Sequence, residues 1–316
     1  MLFAMIFPGQ GSLNVFNSFK HLNSTNLKIA KDTFEEASEI IKLNLWNIFS
    51  KKKYFYIRNK NYSYKQIVIL TTSVAIYRIW ITITGINPTI MAGHSLGEYS
   101  ALVCSNTLNF AKAVEIIHSR EKIMDFACKN FKASMLTIIG LKLENIKKLI
   151  VLNFNNPVIS IACINSKKNI VVSGKMKYIK KMQLLCKEHG ATFTKMLPVN
   201  TAAHSYLMKP AAKYLYKLIK KVKFYDPICP IVNNTSIKCE TSSIFIKKSL
   251  IQQLYKPVRW IEIIQFIFSK KINFFLEIGA SSILTQINKD IYGTTNISLY
   301  KMSNFLKAFK ILSKKS

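Results

Sequence analysis

The chain has 316 residues, 49% of them apolar and 12% aromatic, with only 10 Gly and 8 Pro. Those proportions exclude a disordered, collagen-like or low-complexity chain and leave room for one large domain or two modest ones. Lys plus Arg number 46 against 15 acids, a net charge of +31, yet only Arg58, Arg78, Arg120 and Arg259 are arginine. A lysine excess spread along the chain, beside much Ile, Asn and Phe, reads as AT-rich codon usage in a reduced genome. It is not the Arg-centred surface of a specific nucleic-acid reader.

Leu2–Phe7 is an apolar run that soon meets Pro8-Gly9-Gln10-Gly11, with no basic stretch ahead of it. It reads as a buried first strand rather than a signal peptide. Thr33–Ile41 has helical spacing, with Glu35, Glu36 and Glu39 at its polar positions. Ile67–Ile86 is hydrophobic enough to suggest a membrane span, but Arg78 and several Ser/Thr interrupt it, so a buried core helix over Tyr64–Trp80 is expected. Thr89–Ala92 reads as a short strand, 93–97 as a turn, and Glu98–Cys104 and Ala111–Phe126 as helices. Six elements then follow as strand, helix, strand, strand, helix, strand. They are Ser134–Ile139, Leu143–Leu152, Ile159–Ile164, Ile170–Ser173, Tyr178–Glu188 and Thr192–Leu197, a ferredoxin-like order. His204–Val222, Ile244–Tyr255 and Trp260–Lys270 read as helices, and Ile228–Asn233 and Phe274–Ile278 as strands. The outer part alternates strand and helix, which predicts a mainly parallel sheet.

The expected fold is therefore α/β. A large α/β-hydrolase-like subdomain with a mainly parallel sheet (1–128 and 206–316) carries an inserted small ferredoxin-like βαββαβ subdomain (129–205). The six cysteines are scattered, with no CxxC pair and no Cys/His cluster. That argues against a metal and fits a reduced, cytoplasmic protein.

The chemistry centres on Gly93-His94-Ser95-Leu96-Gly97, a G-x-S-x-G between a short apolar strand and a helix. Flanking glycines permit the tight turn that lifts a serine hydroxyl clear of the backbone, and the helix start favours negative charge there. A serine needs a base. His94 adjoins the nucleophile and should point away from it; His21 and His118 fall in surface or helical contexts; His189 before Gly190 reads as a helix C-cap. His204, in an irregular stretch at the domain boundary, is the candidate base, although the residues alone leave the assignment open. No acid between Ser95 and His204 follows a strand in a suitable loop; Glu98, Glu115, Glu121, Asp125, Glu144 and Glu188 are the only ones. A Ser-His pair oriented by something other than a carboxylate is expected. Phe7-Pro8-Gly9-Gln10-Gly11-Ser12 could bring backbone N–H groups to an oxyanion.

Phe7–Ser12 and Gly93–Ala101 together closely resemble the malonyl-CoA:acyl carrier protein transacylase family of bacterial fatty-acid synthesis. Further matches follow in order along nearly the whole chain: Arg120 in Ser-Arg-Glu-Lys-Ile-Met, Asn165-Ser166, His204 before Leu207–Ala211, Val232-Asn233-Asn234, Gln253-Leu254-Tyr255 with Pro257–Trp260, and Glu277-Ile278-Gly279.

The resemblance implies a ping-pong acyl transfer without a cofactor. Ser95 is the implied nucleophile, His204 the base and Gln253 the residue whose main-chain carbonyl orients it. Gln10 and Leu96 are the implied oxyanion donors by their N–H groups. Arg120, Gln10, Asn165 and Met124 are the implied substrate contacts, with malonyl-CoA and acyl carrier protein as partners. Arg120 suits a carboxylate because its guanidinium binds one bidentately, which lysine cannot do. A monomer with neither a membrane nor a specific nucleic-acid partner is the accompanying expectation.

The chain departs from the family pattern at Ala203 before the histidine, at Ala133 in the lead into the small domain, and at Ala280 and Ser281 after Gly279. Three competing readings remain: a serine hydrolase or thioesterase in which water replaces the carrier thiol, a basic nucleic-acid-binding protein, and a degenerate carrier-binding scaffold.

Overall fold

The computed structural model describes residues 1–10, 18–19, 22–50, 64–154, 157–291 and 293–314. Gly11 and Ser12 of the first glycine turn, and His21, lie outside the described residues.

Four short apolar runs build the centre of the large unit. They are β1 (Ala4–Phe7), β2 (Ile90–Gly93), β7 (Ile231–Val232) and β8 (Phe274–Glu277), joined by an edge strand β9 (Thr295–Ser298). The strand order is β7-β2-β1-β8-β9, and every pair is parallel. All residues of β1, β2, β7 and β8 are buried. Unbroken apolar strands are what a parallel sheet covered on both faces requires.

One face is covered by α1 (Ser24–Ile41), α3 (Lys65–Thr84) and α5 (Phe110–Ala127). Asn23 and Asn109 cap the N-termini of α1 and α5, each accepting from a backbone N–H three residues on. α3 is long and apolar enough to cross a membrane, but two-thirds of its most apolar window is buried inside the protein. Its Arg78 leaves the core to pair with Glu36 at 2.9 Å. The helix is thus the buried core element expected for that stretch. It stops at Gly85, whose φ of 64° suits the left-handed cap.

The second sheet comprises β3 (Ala133–Ile139), β4 (Ile159–Ser166), β5 (Asn169–Lys175) and β6 (Phe193–Met196) in the order β4-β5-β3-β6, all antiparallel. With α6 (Leu143–Asn153) and α7 (Met176–Glu188) it has the ferredoxin-like arrangement. Strand alternation sorts its side chains. Leu136, Ile138, Ile170 and Val172 face α6 and α7, packing on Ile146, Ile179 and Met182. Met135, Cys163 and Val171, with Ala162 at a register shift in β4, pack on Val258, Trp260 and Ile263 of the large unit. Two backbone hydrogen bonds, Ile164 N to Val258 O (2.8 Å) and Val258 N to Ala162 O (2.9 Å), join the sheets' surroundings.

Several boundaries move. The helix expected over His204–Val222 is a single 3-10 turn (Tyr206–Met208) followed by α8 (Lys209–Ile219). His204 stands outside it at φ 60°, and Pro210 in the first turn marks where the helix can begin. The strand expected at Ile228–Asn233 contracts to β7, because Pro230 offers no N–H ahead of it and the asparagines behind it turn the chain. The elements α2 (Leu45–Ser50), α11 (Ile283–Asn288), β9 and α12 (Met302–Ser313) had no counterpart in the sequence reading. Between α8 and β8 lie α9 (Ser243–Gln253) and α10 (Trp260–Ser269).

Candidate active site

The nucleophile turn joins β2 to α4 (Gly97–Cys104). Ser95 sits at φ 55°, a left-handed conformation that a non-glycine residue adopts only where its surroundings enforce it. The enforcement is visible. His94 N donates to Phe7 O at 2.9 Å, Glu98 N to Ser95 O at 3.0 Å, and Ser95 N to Asn234 Oδ1 at 2.8 Å, while Asn234 Nδ2 donates to Gly93 O at 2.6 Å. The two motif glycines are sterically required. A Cβ on Gly93 would lie 2.0 Å from the Gly97 carbonyl carbon, and one on Gly97 would lie 2.0 Å from Phe7 O.

His204 is buried, and its Nε2 lies 2.6 Å from Ser95 Oγ. Its Nδ1 lies 2.7 Å from the main-chain carbonyl of Gln253. A carbonyl can only accept, so Nδ1 carries the proton and Nε2 presents a lone pair to the serine. Burial, and after it the nearby Arg120 charge, push the His204 pKa down to about 3, so the imidazole is neutral.

Arg120, from the middle of α5, is 3% exposed. Its Nη1 donates to Gln66 Oε1 at 2.6 Å, and its guanidinium lies 5.9 Å from the ring centre of Tyr99. Its Nε is buried without a hydrogen-bond partner. A buried guanidinium with an unused donor has the chemistry to pair with an anion. Met124, one turn further along α5, is also buried.

His94 diverges from the serine as expected. Its Nε2 lies 3.0 Å from Asn165 Oδ1, and its ring lies 5.4 Å from that of Trp260. Asn165 donates in turn from Nδ2 to Asn169 Oδ1 at 3.2 Å. Both ends of its amide are thus engaged within the protein, linking the small sheet to the nucleophile turn. Gln10 is half-buried at the end of the loop after β1, and Leu96 is buried at the start of α4. Of the remaining histidines, His118 stacks on Tyr64 and His189 caps α7.

Two residues without a local sequence signal for a role belong to this cluster. Asn234, within a matched motif, holds Ser95 N. Glu98, in a helix rather than a loop after a strand, does not stand where a triad acid would. It is 2% exposed, and its Oε2 accepts from Gln253 Nε2 at 2.6 Å and from Asn234 N at 3.3 Å. Burial raises its pKa to about 7 against the lowering effect of those bonds. The departures are accommodated: Ala203 packs between the two cores, and Ser281 Oγ donates to Glu277 at 2.9 Å.

Residues 59–304 match the acyl transferase domain family. Malonyl CoA-acyl carrier protein transacylase of Buchnera aphidicola subsp. Schizaphis graminum is 41% identical over 315 residues, covering 98% of this chain and 99% of that relative. The chain belongs to the malonyl-CoA:acyl carrier protein transacylase family. The Escherichia coli K12 member is 36% identical over 94% of both chains. Among solved structures, the transacylase of Coxiella burnetii superposes with a TM-score of 0.89 at 31% identity, covering 98% of this chain and 97% of that one. A malonyl-transacylase in complex with a type II PKS acyl-carrier protein does so at 0.90 and 32%, covering 98% and 100%. This transacylase chain is thus an acyltransferase of mixed α/β fold.

Proposed function

We propose that the chain moves the malonyl group of malonyl-CoA onto the phosphopantetheine thiol of an acyl carrier protein, through an ester on Ser95, in fatty-acid biosynthesis. The supporting observation is the line from Ser95 Oγ through His204 to the Gln253 carbonyl, at 2.6 and 2.7 Å, beside a buried arginine with a free donor.

Ser95 Oγ attacks the thioester carbonyl while His204 Nε2 takes its proton. The N–H groups of Gln10 and Leu96 hold the oxyanion. Collapse breaks the C–S bond, and the imidazolium returns its proton to the departing CoA sulfur. The carrier thiol then gives its proton to His204 and attacks the ester, and Ser95 leaves with that proton. The reaction as written uses no cofactor.

Arg120 selects the acyl group. Malonyl differs from acetyl by one carboxylate, which fills the open side of the guanidinium. The same pairing cancels the cation that depresses His204, so the correct substrate also strengthens the base. Met124, one turn along α5 from Arg120, and Asn165, beside His94, are the further substrate contacts of this reading. The reading includes the division into 1–128 with 206–316 and an inserted 129–205, a cytoplasmic monomer, and no membrane or specific nucleic-acid partner.

Incubation with malonyl-CoA alone, followed by intact mass and peptide mapping, tests it. The expected result is a malonyl adduct on Ser95 that is absent from Ser95→Ala and discharged by a carrier thiol faster than by water. Discharge by water at the same rate would make the chain a hydrolase.

A further inference from the structure

A serine–histidine pair needs an acceptor at Nδ1, and here that acceptor is an uncharged main-chain carbonyl on the last residue of α9. At a helix C-terminus the final carbonyls lack the intrahelical partners that fix their direction. Something else must hold the Gln253 carbonyl on His204. Gln253 is fully buried, and its Oε1 has no partner. Its side chain is therefore anchored through Nε2, which donates to Glu98 Oε2 at 2.6 Å and to Ser95 O at 3.0 Å, with Asn234 Oδ1 further off at 3.5 Å.

We propose that Glu98 is a positioning residue for acyl transfer: its carboxyl group clamps the Gln253 side chain and the Asn234 backbone, and through them aligns both the base and the nucleophile. The proposal rests on the Ser95–His204 assignment made above, but not on malonyl as the acyl group.

The connectivity supports it. One carboxyl oxygen receives Gln253 Nε2 and Asn234 N; Gln253 carries the carbonyl that meets His204; Asn234 carries the oxygen that meets Ser95 N. Two residues more than 130 positions away in sequence meet Glu98 on this one atom, and all three side chains are at most 2% exposed. Among the described residues no cation is bonded to Glu98, so amide donors alone balance it. The acid of a Ser-His-acid triad is present here at one remove: it orients the residue that orients the histidine. Buried networks of this kind act as a unit, so deleting one member exposes unsatisfied donors on the others.

The experiment reads Ser95 reactivity with a fluorophosphonate, which needs the activated serine but no malonyl recognition. The variants are Glu98→Ala, Glu98→Gln, Gln253→Met and the double variant Glu98→Ala with Gln253→Met. Gln253→Met keeps the main-chain carbonyl and the side-chain length, and it serves if Glu98→Ala fails to fold. Labelling is expected to slow about 30-fold or more in Glu98→Ala and in Gln253→Met, and to stay within about 5-fold of the parent in Glu98→Gln, whose amide oxygen can still accept. The double variant should be no slower than the slower single one, because both changes remove the same contact. The low-field Nδ1 proton of His204, read by NMR, should persist in Glu98→Gln and move upfield or vanish in the other two single variants. Parent-like labelling and an unmoved proton in folded Gln253→Met would overturn the proposal, as would multiplicative losses in the double variant. A parent protein that labels normally but is not acylated by malonyl-CoA would defeat the proposed function and leave this one standing.

Discussion

The nucleophile turn and the Arg120 pocket lie side by side and are finished to different degrees. In the turn, Ser95 N and O, Gly93 O and the Glu98 carboxyl are all engaged, and two glycines admit no substituent. Arg120 is equally buried but keeps Nε unpaired, while its Nη1 donates to Gln66. The hydrogen bonds that hold the turn are formed without substrate. The second region holds an unsatisfied donor, at a cost that a bound carboxylate removes. On the proposed function, catalytic geometry is built into the fold, whereas acyl selectivity is completed by the ligand.

The sharpest way to break that contrast is at Gly97. Gly97→Ala places a methyl 2.0 Å from Phe7 O and should abolish fluorophosphonate labelling and lower stability by about 3 kcal/mol or more. Gly85→Ala, at positive φ with nothing within 4 Å, should cost only about 1 kcal/mol and leave labelling intact. Equal losses from the two, measured by thermal unfolding and labelling, would deny the turn its special rigidity.

Arg120→Ala addresses the other region. It should lower kcat/KM for malonyl-CoA about 10²- to 10³-fold, while acetyl-CoA is handled as well as before or better. Steady-state competition between the two thioesters reads this directly. A parallel fall for both would place Arg120 in the scaffold rather than in selection.

The smallest effect is in pH. His204 is held neutral by burial and by Arg120, so it loses its base function only as pH falls toward about 3. Labelling at pH 5 should therefore stay close to its value at pH 7.5. A histidine with the ordinary pKa near 6.5 would retain only about 3% of its neutral form there. In Arg120→Gln the acid limb should move up toward that ordinary value.

Legibility differed between the same two kinds of information. Ser95 was readable because a G-x-S-x-G between strand and helix is a local signal. The ferredoxin-like order was readable because six elements alternate cleanly. His204 was named from its irregular surroundings, yet its placement at a helix start was wrong, since nothing local announces a left-handed histidine. The main-chain role of Gln253 has no side-chain signature and came only through family resemblance. Glu98 looked unsuited to a triad because its partners, Asn234 and Gln253, are more than 130 residues away. The last strand and helix escaped because Thr295–Ser298 is half polar and Met302–Ser313 follows with little punctuation.

None of the described lysines is buried, whereas Arg120 lies inside and Arg78 and Arg259 are each paired with a glutamate. Among the described residues the excess charge is therefore a coating, separable from the machinery beneath it. Lysines could be exchanged for glutamine a dozen at a time, taking the chain from strongly basic to neutral, with the hydroxyl, imidazole and guanidinium at the centre left in place. Such a graded series would turn surface charge into an adjustable laboratory variable on an unchanged interior.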